Sequence, residues 1–302
     1  VWWLLLTSLL VLVLFLGAYR LSNIVLYPDV KSAARTYEIE TEQGKIIPEQ
    51  FEALLREEVW LDSPYGYRLY GLYFPVVGAK KTVIIVHGIT FSLYGAVKYM
   101  WLFYNRGYNV LMYDHRNHGR SGGNDTSYGF YEKYDLKAWV DWVLARTGSE
   151  TVVGTHGESM GAAIALQHAV IDSRLAFVIA DCPYASAKEQ FIYRLGVEYH
   201  LPAFPLIPIA SLITKLRKGW FFGDPAPITT IDQVQTPVYF IHGADDAYIP
   251  PEASVRLHAK KPTPKALWLA PHADHAEALW HNLEAYDRRI GEFLEMQSLA
   301  EV

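Results

Sequence analysis

Residues 155–163, Thr-His-Gly-Glu-Ser-Met-Gly-Ala-Ala, carry a serine at position 159 between glycines at 157 and 161. The G-x-S-x-G spacing suits a sharp turn that lifts a hydroxyl clear of its backbone for nucleophilic attack. Average composition supplies the same spacing in roughly one chain of this length in ten, so the motif needs partners. A serine hydroxyl is a weak nucleophile near neutral pH. It requires a base, usually histidine, and a carboxylate to orient that base. Downstream, Ile-His-Gly-Ala-Asp-Asp offers Asp245 and Asp246, and Pro-His-Ala-Asp-His offers His272 and His275. The order serine, acid, histidine is the one expected when a G-x-S-x-G turn joins a strand to a helix.

Acyl transfer also needs donors for the oxyanion. The amide of Met160, directly after the serine, is one, and the loop after the strand Thr82–Val86 should supply the second. Ile89 fills that place, with Thr90 the alternative. The pairs His115/His118 and His272/His275 have spacings that a metal site would tolerate. Neither is completed by further ligands at a recognised spacing, so no metal and no cofactor are expected.

These residues need elements that bring them together. Eight short apolar or alternating runs read as strands: Val59–Leu61, Tyr67–Phe74, Thr82–Val86, Tyr108–Tyr113, Thr151–Thr155, Ala176–Ala180, Val238–Ile241 and Ala266–Ala270. The first two flank Ser63-Pro64-Tyr65-Gly66 and read as a hairpin. Helical stretches separate most of the others, which predicts an α/β fold with a mostly parallel sheet covered on both faces. The alternation lapses between Pro183 and Pro227, a helical, aromatic interval with prolines at 202, 205 and 208. It reads as an insertion in one domain, a cap over the site.

Residues 1–20 contain no charge before Arg20 and are long enough as a helix to cross a bilayer, with Trp2, Trp3 and Tyr19 as interfacial anchors. The competing reading, a cleaved signal peptide, lacks a good small-x-small cleavage site at Leu16-Gly17-Ala18. Residues 21–58 form a mixed juxtamembrane segment with a short helix expected over Pro48–Glu57, and residues 59–302 form the main domain.

Composition narrows the function further. The 302 residues are 51% hydrophobic and 20% charged, which suits a packed globular chain. A net charge of −5 without a long basic run gives no nucleic-acid footprint. One cysteine, Cys182, excludes an internal disulfide.

Together the segments His87-Gly88-Ile89-Thr90, Tyr113-Asp114-His115-Arg116-Asn117-His118-Gly119-Arg120, Gly157–Gly161, His242–Pro250 and Ala273–Glu277 resemble the α/β-hydrolase superfamily. The resemblance runs from about Val59 to the C-terminus and is nearest the bacterial membrane-anchored branch of serine aminopeptidase-like and bile-acid acyltransferase-like hydrolases. It implies an eight-stranded α/β-hydrolase fold with a helical cap. It also implies Ser159 as nucleophile, Asp246 as acid and His275 as base. Asn117 and Asp274 stand where the family usually has glycine, which bears on loop shape. The activity expected is hydrolysis of a small-molecule carboxylic ester with an apolar acyl or aromatic part. The alternatives are a peptidase or amidase, an acyltransferase, or a non-catalytic binding protein.

Overall fold

The computed structural model describes residues 2–299. Val1 and residues 300–302, the outer ends of the expected anchor and catalytic segments, lie outside the described residues. Eight strands form a single sheet in the order β1-β2-β4-β3-β5-β6-β7-β8. They are β1 (Glu57–Asp62), β2 (Arg68–Phe74), β3 (Lys81–Val86), β4 (Asn109–Tyr113), β5 (Val152–Glu158), β6 (Leu175–Asp181), β7 (Val238–Gly243) and β8 (Lys265–Ala270). β1 and β2 are the expected hairpin, β2 joins β4 antiparallel, and every later pairing is parallel.

The apolar runs follow from burial on both faces. In β3, Ile84 and Val86 enter one core while Val83 and Ile85 enter the other. Successive side chains of a strand point to opposite faces, so a strand covered on both sides must be apolar throughout. The flanking helices are α4 (Val97–Tyr104), α5 (Glu132–Thr147), α6 (Met160–Ile171), α10 (Glu252–Lys260), the one-turn α11 (Ala278–His281) and α12 (Leu283–Leu299). The interval between β6 and β7 holds α7 (Ala187–Tyr199), α8 (Leu206–Lys218) and the short α9 (Pro227–Thr230). Pro208 lies in the first turn of α8, where its missing N–H has no intrahelical partner to lose.

The N-terminal region departs from the sequence reading in three ways. Helix α1 runs from Trp2 to Leu26, six residues beyond Arg20, and is long and apolar enough by length and composition to cross a membrane. Its last turns bury Ala18, Val25 and Leu26 in a third core with Ile207, Ala210 and Ile213 of α8. Contact with α8 thus continues the helix where sequence polarity suggested an end. A further helix, α2 (Ala33–Glu42), begins at Ser32, whose hydroxyl accepts from Arg35 N–H at 3.2 Å. The helix opening at Pro48, α3, stops at Glu52, because pairing of Glu57 with Tyr73 already commits the following chain to the sheet.

Candidate active site

Ser159 sits between the end of β5 and the start of α6 with φ 54° and ψ −116°, a conformation disfavoured for a residue with a side chain. Its neighbours explain how the turn is held. A Cβ on Gly157 would approach Gly161 O to 2.5 Å, and one on Gly161 would approach Val86 O to 2.0 Å. Both positions therefore require glycine for close backbone approach. Ser159 N–H donates to Asp181 O at 2.8 Å, which fastens the turn to β6.

Asp246 and His275, the expected acid and base, arrive on adjacent loops. Asp246 follows β7, and His275 lies between β8 and α11. Gly243 lets the two loops meet, since a Cβ there would lie 2.3 Å from Ala273 O. His275 Nε2 is 2.9 Å from Ser159 Oγ, and His275 Nδ1 is 2.7 Å from Asp246 Oδ2. With Nδ1 donating to the carboxylate, Nε2 is left to accept from the serine hydroxyl. Asp246 Oδ1 accepts from the amides of Tyr248 at 2.9 Å and Ile249 at 2.8 Å. Its Oδ2 also lies 3.1 Å from His242 Nε2. Burial pushes the Asp246 carboxyl up. The hydrogen bonds from His242 and His275 outweigh it and hold the group well below the ordinary carboxylate range. Asp245 and His272, the other members of the two sequence pairs, are exposed and stand outside this chain of hydrogen bonds.

The loop after β3 is built on three histidines. Thr90 N–H donates to His118 Nε2 at 3.3 Å, and His118 Nδ1 donates to Arg116 O at 2.8 Å. His115 N–H donates to His87 Nε2 at 3.1 Å, and His115 Nε2 donates to His87 O at 3.0 Å. Burial pushes His115 down to about 3, so the cluster is neutral and works through hydrogen bonds. Both ring nitrogens of His118 are committed to this scaffold, which leaves the His115/His118 pair poorly suited to bind a metal. Met160 is the first residue of α6, where first-turn amides have no intrahelical acceptor.

Cys182, Asp246 and His275 each offer an atom within 4.8 Å of the others. Burial raises the Cys182 thiol well above its ordinary value, which disfavours the thiolate a metal needs. Asp246 and His275 already engage each other, so the trio fits an acid–base pair better than a metal centre.

The residues that the family usually has as glycine keep the loop geometry by other means. Asn117 adopts φ 62°, a left-handed conformation that asparagine tolerates better than most residues. Asp274 Oδ1 accepts from Ala247 N–H at 3.0 Å and from His275 N–H at 2.8 Å, tying the acid loop to the base loop.

Glu158, which the sequence left without a role, is half-buried beside Ser159 and lines the same cleft. Its carboxylate pairs with Lys98 Nζ at 2.5 Å and accepts from Tyr99 Oη at 2.7 Å. Tyr99 Oη also lies 3.2 Å from Asp181 Oδ2, which accepts from Tyr286 Oη at 2.9 Å. Burial alone would raise Glu158. The Lys98 charge outweighs it and holds the carboxyl below its ordinary value, whereas burial and Glu158 push Asp181 up to about 6. This network carries no motif and depends on contacts between residues far apart in sequence, whereas His242 stands four residues before Asp246 in the His242–Pro250 segment.

Ser159 opens on two spaces of different character. A cleft of about 740 Å³ is lined by His275 and by charged groups that include Glu40, Lys45, Lys98 and Arg194. A smaller pocket of about 140 Å³ is walled mainly by apolar side chains, among them Ile89, Met160, Tyr128, Tyr184 and Phe191.

A sequence model of the alpha/beta hydrolase fold matches residues 81–196. Uncharacterized protein YqkD of Bacillus subtilis (strain 168) is 42% identical over 276 residues, which cover 91% of this chain and 90% of that protein. Among solved structures, the Pyrococcus furiosus esterase Pf2001 superposes with a TM-score of 0.68 at 26% identity, covering 83% of this chain and 95% of its own. Est1E of Butyrivibrio proteoclasticus, solved with ferulic acid bound, superposes with a TM-score of 0.64 at 22% identity over 80% of this chain and 99% of its own. With strand order, the glycine-flanked turn at Ser159 and matched sequence in agreement, the chain belongs to the α/β-hydrolase superfamily.

Proposed function

We propose that this protein is a serine hydrolase that cleaves carboxylic esters through an acyl-enzyme. The observation that carries this reading is the unbroken hydrogen-bonded series Ser159–His275–Asp246, at 2.9 and 2.7 Å. In it His275 Nε2 takes the Ser159 proton as Oγ attacks the ester carbonyl. Asp246 holds the imidazole tautomer and stabilises the imidazolium. The amides of Met160 and Ile89 receive the oxyanion. Ile89 is preferred to Thr90 because the Thr90 amide is already engaged by His118.

The two spaces divide the substrate. The leaving alkoxide takes its proton from His275, so it belongs on the imidazole side. His275 lines the polar cleft, whereas the apolar pocket is walled by other residues. The alcohol portion therefore occupies the cleft and the acyl portion the apolar pocket. Water then attacks the acyl-enzyme from the cleft, with His275 again as base. The esterase Pf2001, similar over most of both chains, supports an ester substrate.

The first two-thirds of α1 serves as a membrane anchor in this reading. Leucines, valines and tryptophans between Trp2 and Leu16 are mostly exposed, while Tyr19 lies under the Arg217 guanidinium at 4.7 Å, as at an interface. Retention of the helix is favoured over cleavage, because removal would uncover the face of α8 around Ala210 and Ile213.

Ser159→Ala tests the proposal. Turnover of p-nitrophenyl butyrate should fall at least about 10³-fold, and labelling by a fluorophosphonate should vanish. Turnover near the wild-type rate would falsify the assignment. Aminoacyl p-nitroanilides assayed beside the esters decide between ester and amide substrates.

A further inference from the structure

The apolar pocket beside Ser159 is completed by a helix that the sheet does not supply. Ile24 and Val25, near the end of α1, line this pocket together with Ser159 and Met160, with Ile24 at its solvent edge. Several contacts hold them there. Ser22 Oγ lies 2.8 Å from Thr214 Oγ1 of α8. At the end of α1, where carbonyls lack intrahelical donors, Val25 O accepts from Tyr128 Oη at 3.1 Å and Leu26 O accepts from Thr126 N–H at 2.9 Å. Beyond the helix, Lys31 N–H donates to Thr90 O at 2.8 Å, joining the same segment to the loop after β3.

The pocket is built for hydrocarbon. Its polar rim is already occupied internally: Arg194 pairs with Glu198, and Gln190 Nε2 donates to Tyr248 O at 2.6 Å. Its volume of about 140 Å³ is close to the ~150 Å³ of a dry apolar cavity known to take one benzene molecule. About six carbon atoms fill such a space.

From these contacts we infer that Ile24 and Val25 are specificity-determining residues, and that the anchor helix sets the length of acyl chain the enzyme accepts, near six carbons. The inference rests on the ester-hydrolase reading above. It makes α1 part of the substrate site as well as a tether. A chain longer than the pocket must displace Ile24 or leave its end in water. One methylene in a hydrophobic pocket changes discrimination by roughly 10- to 200-fold.

The test uses the full chain in detergent micelles and p-nitrophenyl acetate, butyrate, hexanoate and decanoate. Rates are expressed per fluorophosphonate-labelled site, so poorly folded material does not count. Ile24→Trp should lower the hexanoate-to-acetate ratio of kcat/KM at least about tenfold. Ile24→Ala should move the optimum toward decanoate. Val11→Trp, on the exposed part of the same helix, should keep the wild-type profile. Wild-type profiles in both Ile24 variants would overturn the inference, as would an equal change in Val11→Trp. Ester turnover surviving in Ser159→Ala would overturn the ester-hydrolase reading itself. A silent Ser159→Ala beside unchanged Ile24 profiles would overturn only the role of α1.

Discussion

Lys98 places its ammonium 2.5 Å from the carboxylate of Glu158, the residue preceding Ser159. The same ammonium donates to Ala276 O at 3.2 Å, the carbonyl of the residue following His275. One half-buried cation thus spans the two loops whose separation fixes the Ser159–His275 distance. Lys98→Met leaves the half-buried Glu158 without its counter-charge at the wall of the cleft, which costs about 1–3 kcal/mol. A fall in Tm of roughly 5 °C should follow. The double variant Lys98→Met/Glu158→Gln should recover more than half of that loss. A thermal-denaturation double-mutant cycle measures this, and losses that simply add would show that the two groups are not coupled.

Asp246→Asn should lower kcat about 10⁴-fold on p-nitrophenyl esters, because an amide cannot hold the His275 tautomer as a carboxylate does. The variant should also lose stability in a pH-dependent way. The folded carboxyl lies below its ordinary value of 3.8, so its contribution is fully present above about pH 5 and fades as pH falls below about 4. Melting curves of the two proteins should converge toward acid. Divergence toward acid would contradict the hydrogen-bonding scheme.

Glu40 carries the opposite sign. Burial pushes it up to about 7, against the charges of Lys45 and Lys98. A carboxyl raised in the folded state costs stability progressively as pH climbs from about 4.5 through 7. Glu40→Gln should therefore melt with the wild type at pH 5 and above it at pH 8.5, by roughly 3 kcal/mol at most. A Tm difference that does not vary with pH would reject this account.

Gly161→Ala should fail to yield folded protein. The added carbon would stand 2.0 Å from Val86 O and 2.5 Å from His87 O, backbone atoms at the end of β3 that cannot swing aside as a side chain would. Soluble expression and the far-ultraviolet spectrum check it. A well-folded Gly161→Ala would mean that α6 and β3 are less closely apposed.

The parallel strands and the three-residue series were legible because each leaves a local mark. Strands buried on both faces must be apolar runs, and Ser159, Asp246 and His275 each lie in a turn just past one of them. The choice of Asp246 over Asp245 and of His275 over His272 came from family resemblance, since both members of each pair have the right chemistry. What escaped depends on distance in sequence. Lys98 meets Glu158 across 60 positions, and Tyr286 meets Asp181 across 105, with no periodicity to announce either. The extension of α1 was hidden for a related reason. Ser22 and Arg20 look like the polar end of a span, yet Ser22 is buried against Thr214. The start of α2 at Ser32 did leave a capping residue to read, and its polar body masked it.

At Ser159 the chemistry and the folding equilibrium ask for different residues. With φ 54° the position suits glycine, and a side chain there costs on the order of 1–3 kcal/mol. Ser159→Gly is expected to make a sturdier protein that hydrolyses nothing. Ser159 is tolerated because the hydrogen bond to Asp181, the glycines on either side and two packed cores over-determine its turn. Reactivity here is a small debt carried by the whole sheet, so weakening distant packing should relax the serine before it unfolds the chain.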